Sequence, residues 1–376
     1  MTVTPVILDQ LPATAAGPQS PSSVPEQSRR LGSLAWRILK RLVGSLAVVL
    51  SVLTVTFLVT RVFAPDPTSL FLGAAGNGYV NAAAQAAARA KVRAELGLDT
   101  SLPQQYVHFL GQMVRGDLGV SFQTGRPVTA DLQSRLPATA ELAVCALIFG
   151  VSLGIAVGVV SAVRRDGLFD RIARFVTVGS LALPQFWIGL MLLWLFSTTL
   201  HLTPGPIGRL PVGSSPPPSR TGFYVIDALA AGDWSLAWDA TRLLVLPVLT
   251  LGLGLAGPIT KVVRTSMVEA LTSDHVRTAR ALGFGRRRIW LVYALKNGLL
   301  PVVTILAGVV GYTFCGSILV EGVFGWPGVG NYSLQAIQTS DFPAVQGFVV
   351  YAAVLYVVIY ELLDVVYGLV DPRARA

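Results

Sequence analysis

Charge is scarce in this chain. Asp, Glu, Lys and Arg make up 13% of its 376 residues, where an ordinary soluble domain carries about 25%. With 53% hydrophobic residues and a mean hydropathy of +0.62, that scarcity excludes a soluble globular protein. Cysteine is almost missing as well. Cys145 and Cys315 both fall inside apolar runs, so neither a disulfide framework nor a metal cluster is expected. The lysines follow Leu39, Ala90, Thr260 and Leu295, so no Gly-Lys dipeptide exists and a Walker A phosphate loop is excluded. There is no HExxH, and no GxSxG stands on a strand-to-helix turn. His108, His201 and His275 lie on separate segments. Nothing here points to an enzyme, and no catalytic residue or metal ligand is expected.

The net charge of +9 would suit nucleic acid if it were spread over a surface. It is instead confined to a few segments between apolar runs, and no nucleic-acid partner is expected. Residues 1–28 contain no Lys or Arg and no apolar core, so they lack the features of a signal peptide. Residues 1–34 are expected to form a disordered tail.

What is abundant is long apolar sequence. Six spans are expected, each near the 20 residues a bilayer requires. They lie at about Leu42–Phe63, Ala138–Val163, Ile172–Leu200 (interrupted by Pro184), Leu243–Val263, Leu299–Val320 and Val345–Val370. Pro247 and Pro258 fall inside the fourth. Backbone groups freed at such prolines need neighbouring helices, which implies a bundle. Lys and Arg in the short loops set the orientation. Arg164 to Arg174 holds four and Lys261 to Lys296 holds eight, whereas Leu202 to Thr241 holds two and Gly322 to Ala344 none. The basic loops and both termini are therefore expected in the cytoplasm. Residues 64–137 then form an external insertion, with an Ala-rich helix over Asn81–Leu96. That insertion reads either as a surface cap or as a docking face.

Charge inside the spans is expected only at Glu361 and Asp364, three positions apart on one face of the last span. Intramembrane carboxylates are functional candidates by default. A structural ion pair near the membrane surface and a proton or substrate site both remain open for them.

The densest charge stands at residues 266–293 and just beyond. Arg277, Arg280, Arg286, Arg287, Arg288 and Lys296, with His275, crowd the stretch from Ser273 to Pro301 between two apolar runs. Val276, Ala279 and Gly283 share one helical face, where small residues would let a partner's backbone come close. Gly285 follows as a helix stop. This pattern describes a short amphipathic helix lying across a cytoplasmic loop.

RTARALG (Arg277–Gly283), the basic run after it and ALKNGLLP (Ala294–Pro301) resemble the EAA loop of bacterial ABC-importer permeases. Arg277 and Thr278 stand where the broad family has Glu and Ala, while Ala279 and Gly283 are kept. Pro301 also stands further from Gly283 than in the broad pattern. Both departures are those of the dipeptide/oligopeptide-type branch, the peptide and nickel permeases. RGDLGVSFQTGRPV with RLPATAEL (Arg135–Leu142), LALPQFWIGL (Leu181–Leu190), ILVEGVFGWPGVGNYSLQAIQTSDFPAVQG (Ile318–Gly347) and LVDPR (Leu369–Arg373) are similar to the same branch in the same order.

The resemblance implies an all-α integral membrane protein of the type I ABC importer permease fold, with residues 35–376 as the permease domain. It implies a bacterial cytoplasmic (inner) membrane protein forming half of a translocation path for peptides. Its partners would be a second homologous permease, two ABC ATPases and an extracytoplasmic solute-binding protein, with the lipid bilayer around it. ATP and Mg would bind on the ATPases and no cofactor on this chain. Val276, Arg277, Thr278, Ala279, Arg280, Ala281 and Gly283, within a coupling helix at 273–285, would transmit ATPase motion. Gly325, Trp326, Pro327 and Gly328 would form an external turn or gate, or a re-entrant structural turn. Nickel or another small solute stays open as substrate. A secondary transporter working alone is the alternative of another class, and would require matching inverted halves and charge at mid-membrane.

Overall fold

The computed structural model describes residues 26–63 and 100–370, together with Ala87 and Ala90. The tail at 1–25, most of the Ala-rich stretch and Asp371–Arg373 of the C-terminal motif lie outside the described residues. The chain divides between Ala47 and Val48 into two units. The described part of the first is helical from Glu26, and its Lys40 ammonium stands 5.3 Å from the Trp36 ring. The second unit contains everything else.

The elements in chain order are α1 (Glu26–Leu58), prolonged by a π-helical turn at Val59–Phe63, α2 (Leu102–Val114) and α3 (Val128–Val163). Next come α4 (Leu168–Ala182), α5 (Gln185–Leu192, with a π-helical extension Leu193–Thr199), α6 (Tyr224–Ala230) and α7 (Trp234–Thr272). After α8 (Asp274–Ala281) a broken helical segment runs through residues 286–298. It is followed by α10 (Leu300–Gly316), counting that segment as α9, then α11 (Ile318–Phe324), α12 (Val329–Gln338) and α13 (Phe342–Val370). No strand occurs among the described residues.

Among the described residues, four unbroken helices are long and apolar enough to cross a membrane: Leu39–Arg61, Val128–Val163, Trp234–Thr272 and Phe342–Leu363. Two bent pairs, Leu168–Ala182 with Gln185–Thr199 and Pro301–Phe314 with Ile318–Phe324, bring the number to six when each pair is one span. The expected interruption at Pro184 is far sharper than a kink, since the path bends by 110° there. Leu183 and Pro184 are extended (ψ 135° and 136°), so the helical ladder stops and restarts in a new direction. The second span also starts earlier than expected, because α3 begins at Val128 and carries Pro137 inside it.

The centre of the second unit is the pair α3 and α7. Lipid tails are as apolar as leucine, so close van der Waals contact rather than water exclusion must hold such helices together. Glycine on α3 makes that contact. A Cβ at Gly150 would stand 2.7 Å from the Gly252 carbonyl oxygen, one at Gly154 2.8 Å from the Ile259 Cβ, and one at Gly158 2.7 Å from the Val263 Cβ. The spacing of four residues lays these glycines along one edge of the helix. Outside this pair, Phe57 of α1 packs on Tyr106 and Phe109 of α2 with ring centroids 5.2 and 5.6 Å apart.

Candidate functional site: the basic loop and the buried charges

The loop after α7 is built on a short helix with a defined stop. The Phe284 N–H donates to the Ala279 carbonyl at 3.2 Å and the Gly283 N–H to that of Arg280 at 3.0 Å. That pair of bonds is a Schellman cap. It needs a left-handed residue, and Gly283 has φ of +78°. Helix α8 therefore ends at Ala281 and is capped by Gly283, which corrects the stop expected at Gly285. Gly285 is extended (φ −64°, ψ 147°) and opens the next helical segment instead.

The faces of α8 are also divided differently from the sequence pattern. Val276 and Ala279 are 0% and 2% exposed and belong to a core cluster with Met267, Ile289 and Ala294. Their small size lets α8 lie close to its own chain rather than to a visitor. The outward surface is formed by Arg277, Thr278, Arg280, Ala281 and Gly283, with Leu282 69% exposed among them. Arg277 and Asp274 form a solvent-facing ion pair at 3.5 Å, which contributes little to stability. Phe284 stacks on Tyr293 at 5.4 Å and carries the Arg288 guanidinium 4.6 Å from its ring, which pins the chain just after the cap.

The stem of this loop is clamped. Arg264 on α7 donates to both carboxylate oxygens of the fully buried Asp170 on α4, Nε to Oδ1 at 2.7 Å and Nη2 to Oδ2 at 2.9 Å. The Ser161 hydroxyl and the Asp166 N–H also donate to Asp170, and Arg174 stands 3.5 Å away. A bidentate guanidinium–carboxylate pair fixes orientation as well as distance. Three helices are thus tied together close to where α7 leads into the loop.

Three further buried carboxylates, Glu141, Asp227 and Glu321, are held by networks of their own. Glu141 receives Arg209, from the loop between α5 and α6, through Nη2 at 2.5 Å and Nε at 3.1 Å, and it accepts the Val225 N–H at 3.2 Å. Arg209 also donates to the Gly222 carbonyl at 2.7 Å and stands 3.5 Å from the Tyr224 ring. Beside it, Asp227 accepts the N–H groups of Arg220, Thr221 and Gly222 and the Thr221 hydroxyl. Burial pushes the Asp227 carboxyl up, but these donors outweigh burial and hold it below its ordinary value. Glu321 accepts the hydroxyls of Thr139 and Ser317 and the Asn331 N–H, each at 2.9 Å.

The Gly325–Gly328 turn sits on this network. Gly325 is left-handed (φ 61°), and Trp326 is 1% exposed, its indole N–H donating to the Ala138 carbonyl at 2.8 Å. A Cβ at Gly328 would stand 2.4 Å from Glu321 Oε2 and 2.5 Å from Thr139 Oγ1. Pro327 stands close by, its Cδ 3.9 Å from a Cβ placed at Gly208. Trp326 thus faces the interior of this chain and joins α3 to α11 and α12.

Glu361 is half-buried on α13. Asp364 falls on the same helix, and its side chain lies outside the described residues. The expectation that these two are the span charges needs correction. Glu141 lies within the second expected span, and Asp170, Arg264 and Glu321 flank the third, fourth and fifth by a residue or two. Asp170, Arg264 and Glu321 each sit beside an apolar run and read as boundary residues until the tertiary partner is seen. For Glu141 the signal was its position among apolar residues, and for Gly150, Gly154 and Gly158 it was their four-residue spacing.

Comparison with known proteins covers nearly the whole chain. Residues 154–376 match the family described as binding-protein-dependent transport system inner membrane component, and residues 35–143 match the N-terminal part of such membrane components. The chain is 38% identical over 340 residues to a probable D,D-dipeptide transport system permease protein of Escherichia coli K12, covering 90% of this chain and 97% of that one. It is 37% identical to the dipeptide transport system permease protein of the same organism, covering 90% and 98%. It is 35% identical over 337 residues to a glutathione transport system permease protein of Pectobacterium atrosepticum, covering 90% and 98%.

Proposed function

This chain belongs to the inner membrane components of binding-protein-dependent transport systems, and from that premise we propose that it forms half of the translocation path of an ATP-driven peptide importer. Members of this family are transport subunits. The chain is accordingly a non-catalytic, multi-pass inner membrane protein that works with a solute-binding protein and an ATPase. The peptide substrate is supported by the names of the relatives, which refer to dipeptide, D,D-dipeptide and glutathione transport. They give no support to nickel, and membership of this family does not favour a transporter working alone.

The finer assembly is part of the proposal. A second homologous permease supplies the other half of the path, and two ATPase subunits, which carry the ATP and Mg, dock beneath. Both termini lie in the cytoplasm, on the side of the basic loops. The observation that carries the coupling role is the outward face of α8. Arg277, Thr278, Arg280, Ala281 and Leu282 form an exposed ridge on a helix whose other face is locked to α7. A push or pull on that ridge is passed directly to a 39-residue helix that packs along α3. The Asp170–Arg264 pair carries the displacement to α4. The helices then swing as bodies between inward-open and outward-open states.

The test is co-purification from detergent-solubilised membranes with a tag on this chain, followed by uptake in proteoliposomes. Recovery of two ATPase subunits and a second six-span permease, with ATP-dependent uptake of a dipeptide, is the expected result. Recovery of this chain alone, intact and monodisperse, overturns the assembly.

A further inference from the structure

The elbow between α4 and α5 opens onto a cavity of about 330 Å³, within the range of small-ligand sites. Its walls come from the elbow (Leu183, Pro184, Gln185), from α7 (Gly254, Pro258) and from α10 (Tyr312). Non-helical backbone at membrane depth survives where it is buried in protein or lines a cavity. Most of the lining is apolar. The exceptions include Gln185, whose Oε1 atom is buried and has no hydrogen-bond partner. A buried acceptor left unsatisfied costs free energy that a suitable donor would recover. The amide group lies against α7, since a Cβ at Gly254 would stand only 2.2 Å from Gln185 Nε2. Tyr312, 53% exposed, lines the same cavity from α10.

We propose that this cavity is a subsite of the transport path in which the Gln185 carboxamide, its Oε1 shielded from the cavity in this structure, turns to accept the N–H of a peptide bond in transit. The inference rests on the peptide reading above and names the residue that would serve it. A carboxamide has the same donor and acceptor pair as a peptide group, so it recognises the backbone whatever the side chains are. The apolar walls supplied by Leu183, Pro184 and Pro258 then tolerate varied side chains without selecting one. An importer of short peptides requires that combination of backbone recognition and side-chain indifference.

The experiment compares two substrates in the complete importer reconstituted with its partners. One is alanyl-alanine, and the other is alanyl-lactic acid, in which an ester oxygen replaces the peptide N–H. Dividing the uptake rate of the first by that of the second, and comparing this ratio between wild type and Gln185→Met, cancels the discrimination made by the binding protein. The ratio is expected to fall about 5- to 10-fold in Gln185→Met, the size of effect one hydrogen bond to a buried acceptor supplies. If Gln185→Met does not assemble, Gly254→Ala is read instead, since its new methyl displaces the amide without removing it, and the same fall is expected. An unchanged ratio in the variant that assembles, with wild-type uptake of alanyl-alanine intact, overturns the subsite alone. Absence of wild-type uptake for every member of a dipeptide panel overturns the peptide reading itself.

Discussion

Arg209 reaches from the loop between α5 and α6 into the interior and places its guanidinium on the carboxylate of Glu141, with Nη2 at 2.5 Å and Nε at 3.1 Å from Oε2. Both side chains are almost fully buried, at 7% and 3% exposure. Removing one partner of such a pair strands a charge, whereas replacing both by apolar groups of similar volume can be nearly neutral. Arg209→Met is therefore expected to destabilise the protein by about 3–5 kcal/mol, and Glu141→Gln with Arg209→Met to recover a large part of that loss. Thermal unfolding of the detergent-purified single and double variants measures the difference. A double variant no better than Arg209→Met would show that the pair is not the unit of stability.

Gly154 meets Ile259 where a Cβ would stand 2.8 Å away. Gly154→Leu must push α3 and α7 apart, and overpacking of that kind costs about 1–3 kcal/mol or more. Reduced yield of monodisperse protein is expected, with partial rescue by Ile259→Ala, which returns space at the same point. Lack of rescue would place the damage elsewhere than at this contact.

Ala279 and Arg277 are neighbours on α8 with opposite consequences. Ala279→Glu puts a carboxylate into the cluster formed with Val276 and Met267, so loss of folded protein is expected before any question of coupling arises. Arg277→Glu changes an exposed side chain and should leave folding intact. It is expected to weaken ATPase association about 10-fold at low ionic strength and less in high salt, as exposed interface charges do. Co-purification across a salt series is the measurement, and an unaffected complex at low salt would remove Arg277 from the interface.

Asp227 supplies a pH signature. Its folded carboxyl lies below the ordinary value, so the stability it contributes is fully present above the unfolded pKa, about 3.9. That stability is lost as pH falls through the folded value. The gap in Tm between wild type and Asp227→Asn is expected to be constant near neutrality and to close under acid conditions. A gap that widens towards low pH would reverse the sign of the linkage.

Substitution of Gly283 tests the cap of α8. Nothing stands within 4 Å of a Cβ there, but φ is +78°, a conformation that disfavours any side chain. Gly283→Asn, which tolerates left-handed backbone, is expected to retain ATPase coupling better than Gly283→Ala. Equal loss in both would mean that the surface, rather than the cap, requires glycine.

The apolar runs alone determine that this chain enters a membrane and roughly where its helices cross, and the Lys and Arg between them give the expectation for which loops face the cytoplasm. Those properties depend on transfer free energy and charge bias, which are summed along the chain and need no partner. The short helix in the basic loop is legible for the same reason, and the order of its motifs is enough to identify the family. Tertiary structure decided which face of α8 is free, because periodicity groups Val276 with Ala279 without saying what they touch. It also decided that Glu141 and Asp170 are held by Arg209 and Arg264, residues 68 and 94 positions away. An ion pair is a property of separation in space, and a buried carboxylate beside an apolar run looks like a span boundary until its distant cation is in place. The 110° elbow at Pro184 was likewise only half legible. Proline shows that the helical ladder breaks, but the direction of the next helix is set by its packing against α7.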